Sequence, residues 1–233
     1  KVLRQAAGTL TPAIMELSGC DAVIVLPNAN LERVADCVIF GLGFNGGATC
    51  IAPRRIIAEP READLLKERL IDRLAQAAPA VVHPAAREAV ASQVCHALAG
   101  NAVDVMGNFR EQDLRKSGQM RPLLLDGVKP EDGIASADLF APVTSLMRVS
   151  EICEAVQIVN QCPYRLAASV FGAEKEAGAV ATQLDVGTVC INDLIVPTAD
   201  PRLPFGGRGE SGFGVTRGEA GLLAMSVPAT VSR

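Results

Sequence analysis

Apolar runs of strand length alternate with amphipathic helical patterns along this chain, and that alternation limits the fold more than any other feature. The strand-like runs are 22–26, 55–58, 102–106, 122–125, 143–149, 166–171 and 187–192. The helical patterns are 31–40, 60–76, 84–98, 151–160 and 174–184. Such alternation is typical of an α/β fold in which helices cover both faces of a largely parallel sheet. The adjacent helices 60–76 and 84–98 interrupt it and predict an insertion.

Composition and charge exclude several classes of function. The chain has 233 residues, of which 49% are hydrophobic and 21% charged, as in ordinary globular proteins. Its net charge is −4 and it has no long basic run and no Trp, so we expect no nucleic-acid partner. The apolar runs are too short to cross a bilayer, and no signal-peptide pattern opens the sequence. We therefore expect a cytoplasmic protein without membrane contact.

The seven cysteines do not form a metal-binding or disulfide pattern. They are scattered, contain no Cys-x-x-Cys pair, and are accompanied by only two histidines. We therefore predict neither a structural metal site nor a disulfide framework. The patterns around Cys37, Cys153 and Cys190 indicate small core hydrophobes.

One cysteine has a different neighbourhood and a potential chemical partner. Cys50 follows the adjacent glycines Gly46 and Gly47, which allow the backbone to bend and expose the sulfur. Glu16 stands 34 residues earlier (50 − 16). A thiolate is a strong nucleophile, and a carboxylate can activate water for a second step. The residues alone favour a surface carboxylate for Glu16 and a structural role for Cys50.

The segment 197–214 is rich in Pro and Gly and is predicted to be a long loop, which is usually functional or mobile. Residues 207–212 within it match the dinucleotide fingerprint G-x-G-x-x-G. No strand precedes this match and no βαβ unit follows it, so we do not assign it that function.

Five ordered motifs resemble the aldehyde dehydrogenase superfamily. The stretch from Glu16 to Cys50 has the spacing of the family's Glu-Leu-Gly-Gly-Lys and cysteine motifs. The other similar segments are 138–143 (DLFAPV), 160–171 (NQCPYRLAASVF), 187–192 (GTVCIN) and the pair 204–207 (PFGG) and 211–214 (SGFG). Ser18, Cys20 and Ala48 depart from the usual residues, which indicates a divergent member.

The resemblance implies a fold, a cofactor and a set of roles. It implies an aldehyde dehydrogenase-like catalytic domain in a homo-oligomer that oxidises an aldehyde to a carboxylic acid with NAD or NADP. Cys50 would attack the aldehyde, and Glu16 would release the acid from the resulting thioacyl enzyme. The remaining implied roles are aldehyde contacts for Thr49, Ile51 and Phe205, and cofactor contacts for Leu17, Asp138 and Phe140.

Plainer interpretations of these residues remain open. Phe205 can fill the core, Asp138 can be a loop or cap residue, and Thr49 and Ile51 can serve packing. A catalytically silent homologue or fragment, acting as a structural or oligomerisation module, is the alternative function.

The resemblance also implies a domain assignment. Family members are about twice as long, and their first half carries a cofactor-contacting Lys and an oxyanion-donating Asn. We therefore expect this chain to be the C-terminal half of such a protein. Residues 1–18 would be the end of the nucleotide-binding domain, 19–221 the catalytic domain, and 222–233 a C-terminal strand or tail for oligomerisation.

Overall fold

The computed structural model describes residues 1–233. Its strands are β1 (Met15–Glu16), β2 (Asp21–Val25), β3 (Pro53–Ala58), β4 (Ala80–Val81), β5 (Val103–Asp104), β6 (Gln119–Met120), β7 (Leu123–Asp126), β8 (Val143–Arg148), β9 (Tyr164–Arg165), β10 (Ala167–Phe171), β11 (Thr188–Ile191), β12 (Arg208–Gly209) and β13 (Gly212–Phe213). Its helices are α1 (Val2–Ala7), α2 (Leu31–Gly43), α3 (Pro60–Gln76), α4 (Pro84–Ala99), α5 (Glu111–Lys116), α6 (Ile152–Gln161), α7 (Glu174–Ala181) and α8 (Gly218–Ala224).

Seven strands form the central sheet, in the order β11-β10-β2-β3-β8-β7-β5. Every neighbouring pair is parallel except β5 and β7, which are antiparallel. All residues of β2, β3 and β10 are buried, as expected for strands covered on both faces. The predicted α/β fold with a largely parallel sheet is therefore confirmed.

Alternate residues of β2 contact the two layers of helices. Val23 and Val25 pack with the apolar stripes of α2 and α3, whereas Ala22 and Ile24 face a second core that includes α4, α6 and α7. Both outer helices begin with sequence-encoded signals. The Asn30 side chain caps α2 by accepting a hydrogen bond from the backbone N–H of Arg33, and Pro60 occupies the first turn of α3.

Several short elements differ from the sequence predictions. The strand predicted at 102–106 is limited to Val103–Asp104 at the antiparallel edge. The predicted loop 197–214 contains β12, which pairs with β9, and β13, which pairs with β1. Two-residue strands of this kind have no periodicity that a sequence pattern can reveal. Cys37 and Cys190 are buried as predicted, but the prediction for Cys153 was wrong, because that residue is exposed on the outer face of α6.

The two ends of the chain lie outside the central sheet. Helix α1 has no buried residue, whereas Met15–Glu16 pairs with the late strand β13. Residues 222–224 complete α8 and residues 226–233 have no regular secondary structure, so the C-terminal segment is a tail rather than a strand. None of the helices combines the length and the apolar character that spanning a membrane requires.

The packing of α3 makes a stability prediction. Leu70 is completely buried between α3 and the sheet, so Leu70→Ala should lower the free energy of unfolding by about 2–5 kcal/mol. Leu10 is 89% exposed, and Leu10→Ala should change the free energy by less than about 0.5 kcal/mol. Urea unfolding of both variants measures the difference. Equal effects would contradict the described packing.

Candidate active site

Cys50 lies in a tight loop between the end of α2 and the start of β3. Asn45, Gly46 and Gly47 adopt consecutive left-handed conformations with φ of 50°, 61° and 72°. A Cβ atom on Gly47 would lie 2.6 Å from the carbonyl oxygen of Ala141. Gly47 is therefore required both for its backbone angle and for the close approach of the segment that follows Phe140.

A buried arginine joins the cysteine loop to that second segment. Arg54, at the start of β3, donates from Nη1 to the carbonyl of Ala141 (2.6 Å). Its Nη2 donates to the carbonyls of Gly47 (2.7 Å) and Thr49 (3.2 Å). Burial lowers the pKa of Arg54 to about 10, so the guanidinium remains charged at neutral pH. One side chain thus fixes the backbone on both sides of the candidate site.

Glu16 reaches the site through its own backbone contacts. Met15–Glu16 pairs with Gly212–Phe213, and the N–H of Leu17 donates to the carbonyl of Ser211 (3.1 Å). A Cβ atom on Gly19 would lie 2.5 Å from the carbonyl oxygen of Cys50. The chain after Glu16 therefore packs directly on the cysteine loop. The structure therefore brings the two predicted catalytic residues together.

The carboxylate of Glu16 lies near the thiol of Cys50, so that its negative charge acts on that thiol. Burial, followed by the negative charges of Glu16 and Asp21, raises the pKa of Cys50 to about 11. At pH 7 only about one thiol in ten thousand is then ionised. The arrangement is a protonated nucleophile in contact with a base that can accept its proton.

The three predicted substrate residues have different environments. The hydroxyl oxygen of Thr49 is buried and has no hydrogen-bond partner, and Ile51 packs against the apolar core beneath α2. Phe205 is 7% exposed, and the guanidinium of Arg217 lies 4.6 Å from the centre of its ring. Thr49 and Ile51 flank Cys50 directly, whereas Phe205 is held in the packed late segment. Their roles toward an aldehyde stay predictions.

The three predicted cofactor residues lie on loops beside the cysteine. Asp138 is partly buried, and its Oδ1 atom is buried without a hydrogen-bond partner. Phe140 is 36% exposed and immediately precedes Ala141, which Arg54 holds. Leu17 is 50% exposed, next to Glu16. Asp138 therefore provides a hydrogen-bond acceptor that has no donor, and Phe140 and Leu17 provide accessible apolar surface.

Sequence reasoning missed several residues of the site. Arg54 was not recognised, although two arginines at the start of an apolar strand are a signal that their side chains need buried partners. Phe40 and Phe44 also escaped notice. Their rings stack 5.5 Å apart at the end of α2, and both are about half exposed where the cysteine loop begins. No group of three or more His, Cys, Asp or Glu side chains is placed to hold a metal ion.

Comparison with known proteins identifies the family. The family model described as "Aldehyde dehydrogenase family" matches residues 1–231. The chain belongs to the aldehyde dehydrogenase family. An aldehyde dehydrogenase of Fusarium is 32% identical over 96% of this chain and 50% of its own length. The 4,4'-diaponeurosporen-aldehyde dehydrogenase of Staphylococcus aureus is 30% identical over 94% of this chain and 49% of its own length.

Solved structures of aldehyde dehydrogenases have the same fold. NADP-dependent glyceraldehyde-3-phosphate dehydrogenase from Bacillus halodurans, complexed with NADP, superposes with a TM-score of 0.87 at 28% identity, over 96% of this chain and 48% of that one. Betaine aldehyde dehydrogenase from Staphylococcus aureus, in complex with NAD+, gives 0.85 at 27% identity, over 95% and 46%. The chain thus spans about half the length of the aldehyde dehydrogenases it matches.

The close approach at Gly47 makes a second prediction. Gly47→Ala should lower the free energy of unfolding by at least about 2 kcal/mol, because it combines a left-handed backbone with a collision at Ala141. Gly43→Ala is the matched control, since a Cβ there meets nothing within 4 Å and alanine favours the helix. It should be neutral or stabilising by up to about 1 kcal/mol. Urea unfolding measures both, and a neutral Gly47→Ala would contradict the described loop.

Proposed function

We propose that this chain carries the nucleophile and the base of an NAD(P)-dependent aldehyde dehydrogenase that converts an aldehyde to a carboxylic acid. The placement of the Glu16 carboxylate beside the Cys50 thiol, with Gly19 of the same segment packed on the cysteine loop, is the observation that supports this proposal most directly. Membership of the family supports the reaction class. The chain spans half the length of its relatives, and we propose the complete oxidation of an aldehyde for the protein as a whole.

The proposed reaction uses this contact twice. As the sulfur of Cys50 attacks the carbonyl carbon of the aldehyde, the thiol proton passes to Glu16 and a thiohemiacetal forms. NAD(P)+, when bound, supplies the hydride acceptor that converts this adduct to a thioester. After Glu16 has released the thiol proton to solvent, it takes a proton from water, whose oxygen attacks the thioester. The acid leaves, and the proton held by Glu16 passes to the sulfur of Cys50 and restores the thiol.

The residues beside the site fit the proposed cofactor. The unpartnered Oδ1 of Asp138 is an acceptor suited to a sugar hydroxyl, and Phe140 and Leu17 offer apolar surface to a flat ring. The two related structures described above contain NADP and NAD+, which supports either nucleotide here. Thr49 and Ile51 are proposed to contact the aldehyde side chain, with Phe205 forming the wall behind them.

We also propose a homo-oligomer and a cytoplasmic location. Large apolar side chains are exposed at the C-terminal end, including Leu222, Leu223, Met225, Val227 and Val231. Such a concentration of apolar surface is typical of a segment that is covered by another chain or domain. All seven cysteines are free thiols, which agrees with a reducing compartment.

An activated ester tests the proposed pair without any nicotinamide. With p-nitrophenyl acetate, the chain should release an initial burst of nitrophenolate as Cys50 is acetylated, followed by slower turnover. Cys50→Ala should abolish the burst, whereas Cys153→Ala, at an exposed thiol, should retain it. A burst of equal size in Cys50→Ala, or none in the unaltered chain, would favour the silent structural module instead.

Glu16→Gln separates the two roles of the carboxylate. Removing its charge should lower the pKa of Cys50 below about 11 and speed alkylation by iodoacetamide at pH 7.5 about tenfold. The same variant should keep acylation by the ester but lose most of the turnover. Mass spectrometry of the Cys50 peptide measures alkylation, with Glu131→Gln, an exposed and distant carboxylate, as the control. Slower alkylation in Glu16→Gln would contradict the described contact.

A further inference from the structure

Two cysteines that the proposed reaction does not use lie together behind the active site. Cys20 precedes β2, in the segment that descends from Glu16, and Cys162 follows α6. Their exposures are only 1% and 4%. The two thiols lie close enough for each to shift the pKa of the other, although 142 residues (162 − 20) separate them in sequence.

A buried cation lies beside both sulfurs. Arg55 is 2% exposed and donates from Nε (3.0 Å) and Nη2 (2.7 Å) to the backbone carbonyl of Cys20. Its Nη1 points toward the carbonyl of Ile158 at 3.5 Å, one turn before Cys162. A guanidinium in this position favours a negative charge on the neighbouring sulfur.

The pair is asymmetric in its chemistry. The neighbouring Cys20 thiol, the charge of Arg55 and the N–H of Tyr164 together lower the pKa of Cys162 despite its burial. The neighbouring Cys162 and burial raise the pKa of Cys20, whose thiol donates to the carbonyl of Ala135. Cys162 is therefore the more readily ionised thiol of the pair.

A cavity leads to the thiolate. It has a volume of about 200 Å³, and its walls include Arg55, Ser136, Gln161 and Cys162. A water molecule occupies about 30 Å³ of liquid volume, so the cavity has room for hydrogen peroxide or a small organic hydroperoxide. Cys20 does not line it but lies against it, since its thiol also contacts the carbonyl of Ala135 at 3.6 Å.

The other five cysteines lack these features. Burial is the main cause of a raised pKa at Cys37, Cys50, Cys95 and Cys190. Cys153 is exposed, but its hydrogen bond to the Glu151 carboxylate raises its pKa. No other thiol in the chain combines a cation, a thiol partner and a cavity.

We propose that Cys162 is a hydroperoxide-reactive thiol and that Cys20 is its resolving partner. The Cys162 thiolate attacks the terminal oxygen of the peroxide, the O–O bond breaks, and an alcohol or water leaves after taking up a proton. The sulfur of Cys20 then attacks the Cys162 sulfenic acid, an S–S bond forms, and water leaves with the Cys20 proton. The two thiols lose two electrons and the peroxide gains them. The site does not depend on the dehydrogenase activity.

Hydrogen peroxide and peptide mapping test this proposal on the purified chain. Dilute hydrogen peroxide should produce a Cys20–Cys162 disulfide at least tenfold faster than it oxidises any other cysteine, and dithiothreitol should reverse it. Cys20→Ser keeps a small side chain that can donate to the carbonyl of Ala135, but it cannot resolve the sulfenic acid. In that variant dimedone should label Cys162, whereas the unaltered chain should give little adduct. Cys190→Ala, which removes a buried thiol elsewhere, should leave disulfide formation unchanged.

Three results would overturn the proposal. The first is oxidation of Cys162 to sulfinic acid in the unaltered chain without a disulfide. The second is oxidation of Cys50 as fast as that of Cys162. The third is the absence of any Cys20–Cys162 disulfide at peroxide concentrations that oxidise the other thiols. The unaltered chain alone gives each of these results, so the test does not depend on the folding of Cys20→Ser.

Discussion

The hydrogen bonds of the Arg54 guanidinium are the interaction on which the candidate active site depends. They hold the loop that carries the nucleophile and the segment at Ala141 in one fixed arrangement. Burying a charge is costly unless hydrogen bonds compensate it, and here three backbone carbonyls do so. Two of these carbonyls, those of Ala141 and Thr49, also accept backbone hydrogen bonds from Val143 and Ala52. The positions of the backbone segments around the site are therefore fixed by Arg54, and the side chain of Cys50 extends from one of these segments.

Contact with Glu16 has opposite effects on the resting enzyme and on the proposed reaction. A neighbouring carboxylate keeps the Cys50 thiol protonated, which protects it from oxidants and alkylating agents. It also places a proton acceptor where attack on a carbonyl would need one. Low intrinsic reactivity of Cys50 is thus compatible with a catalytic role, because activation is coupled to the attack itself. The environment of Cys162 has the opposite effect, because the neighbouring Cys20 thiol and the charge of Arg55 lower the pKa of Cys162 before any substrate is present.

The central sheet was predictable from the sequence, whereas its smallest parts and the contacts of several side chains were not. Buried parallel strands such as 22–26 are continuous apolar runs, and helices such as α3 have clear stripes and a proline start. The pairing of Cys50 with Glu16 came from the resemblance to a family, since spacing alone does not place two side chains together. Cys20 and Cys162 could not be paired, because only the folded sheet brings such distant residues into contact.

The pairing of β1 with β13 has a consequence for the order in which the site is completed. Glu16 is synthesised before the nucleophile, but Gly212, which pairs with it, is synthesised 196 residues later (212 − 16). Domains form their contacts as the chain leaves the ribosome, beginning with the earlier segments. The base is therefore secured only after the sheet and the cysteine loop are in place. A chain that ends before β13 would have Cys50 without a fixed carboxylate, so synthesis of β13 is the final assembly step of the site.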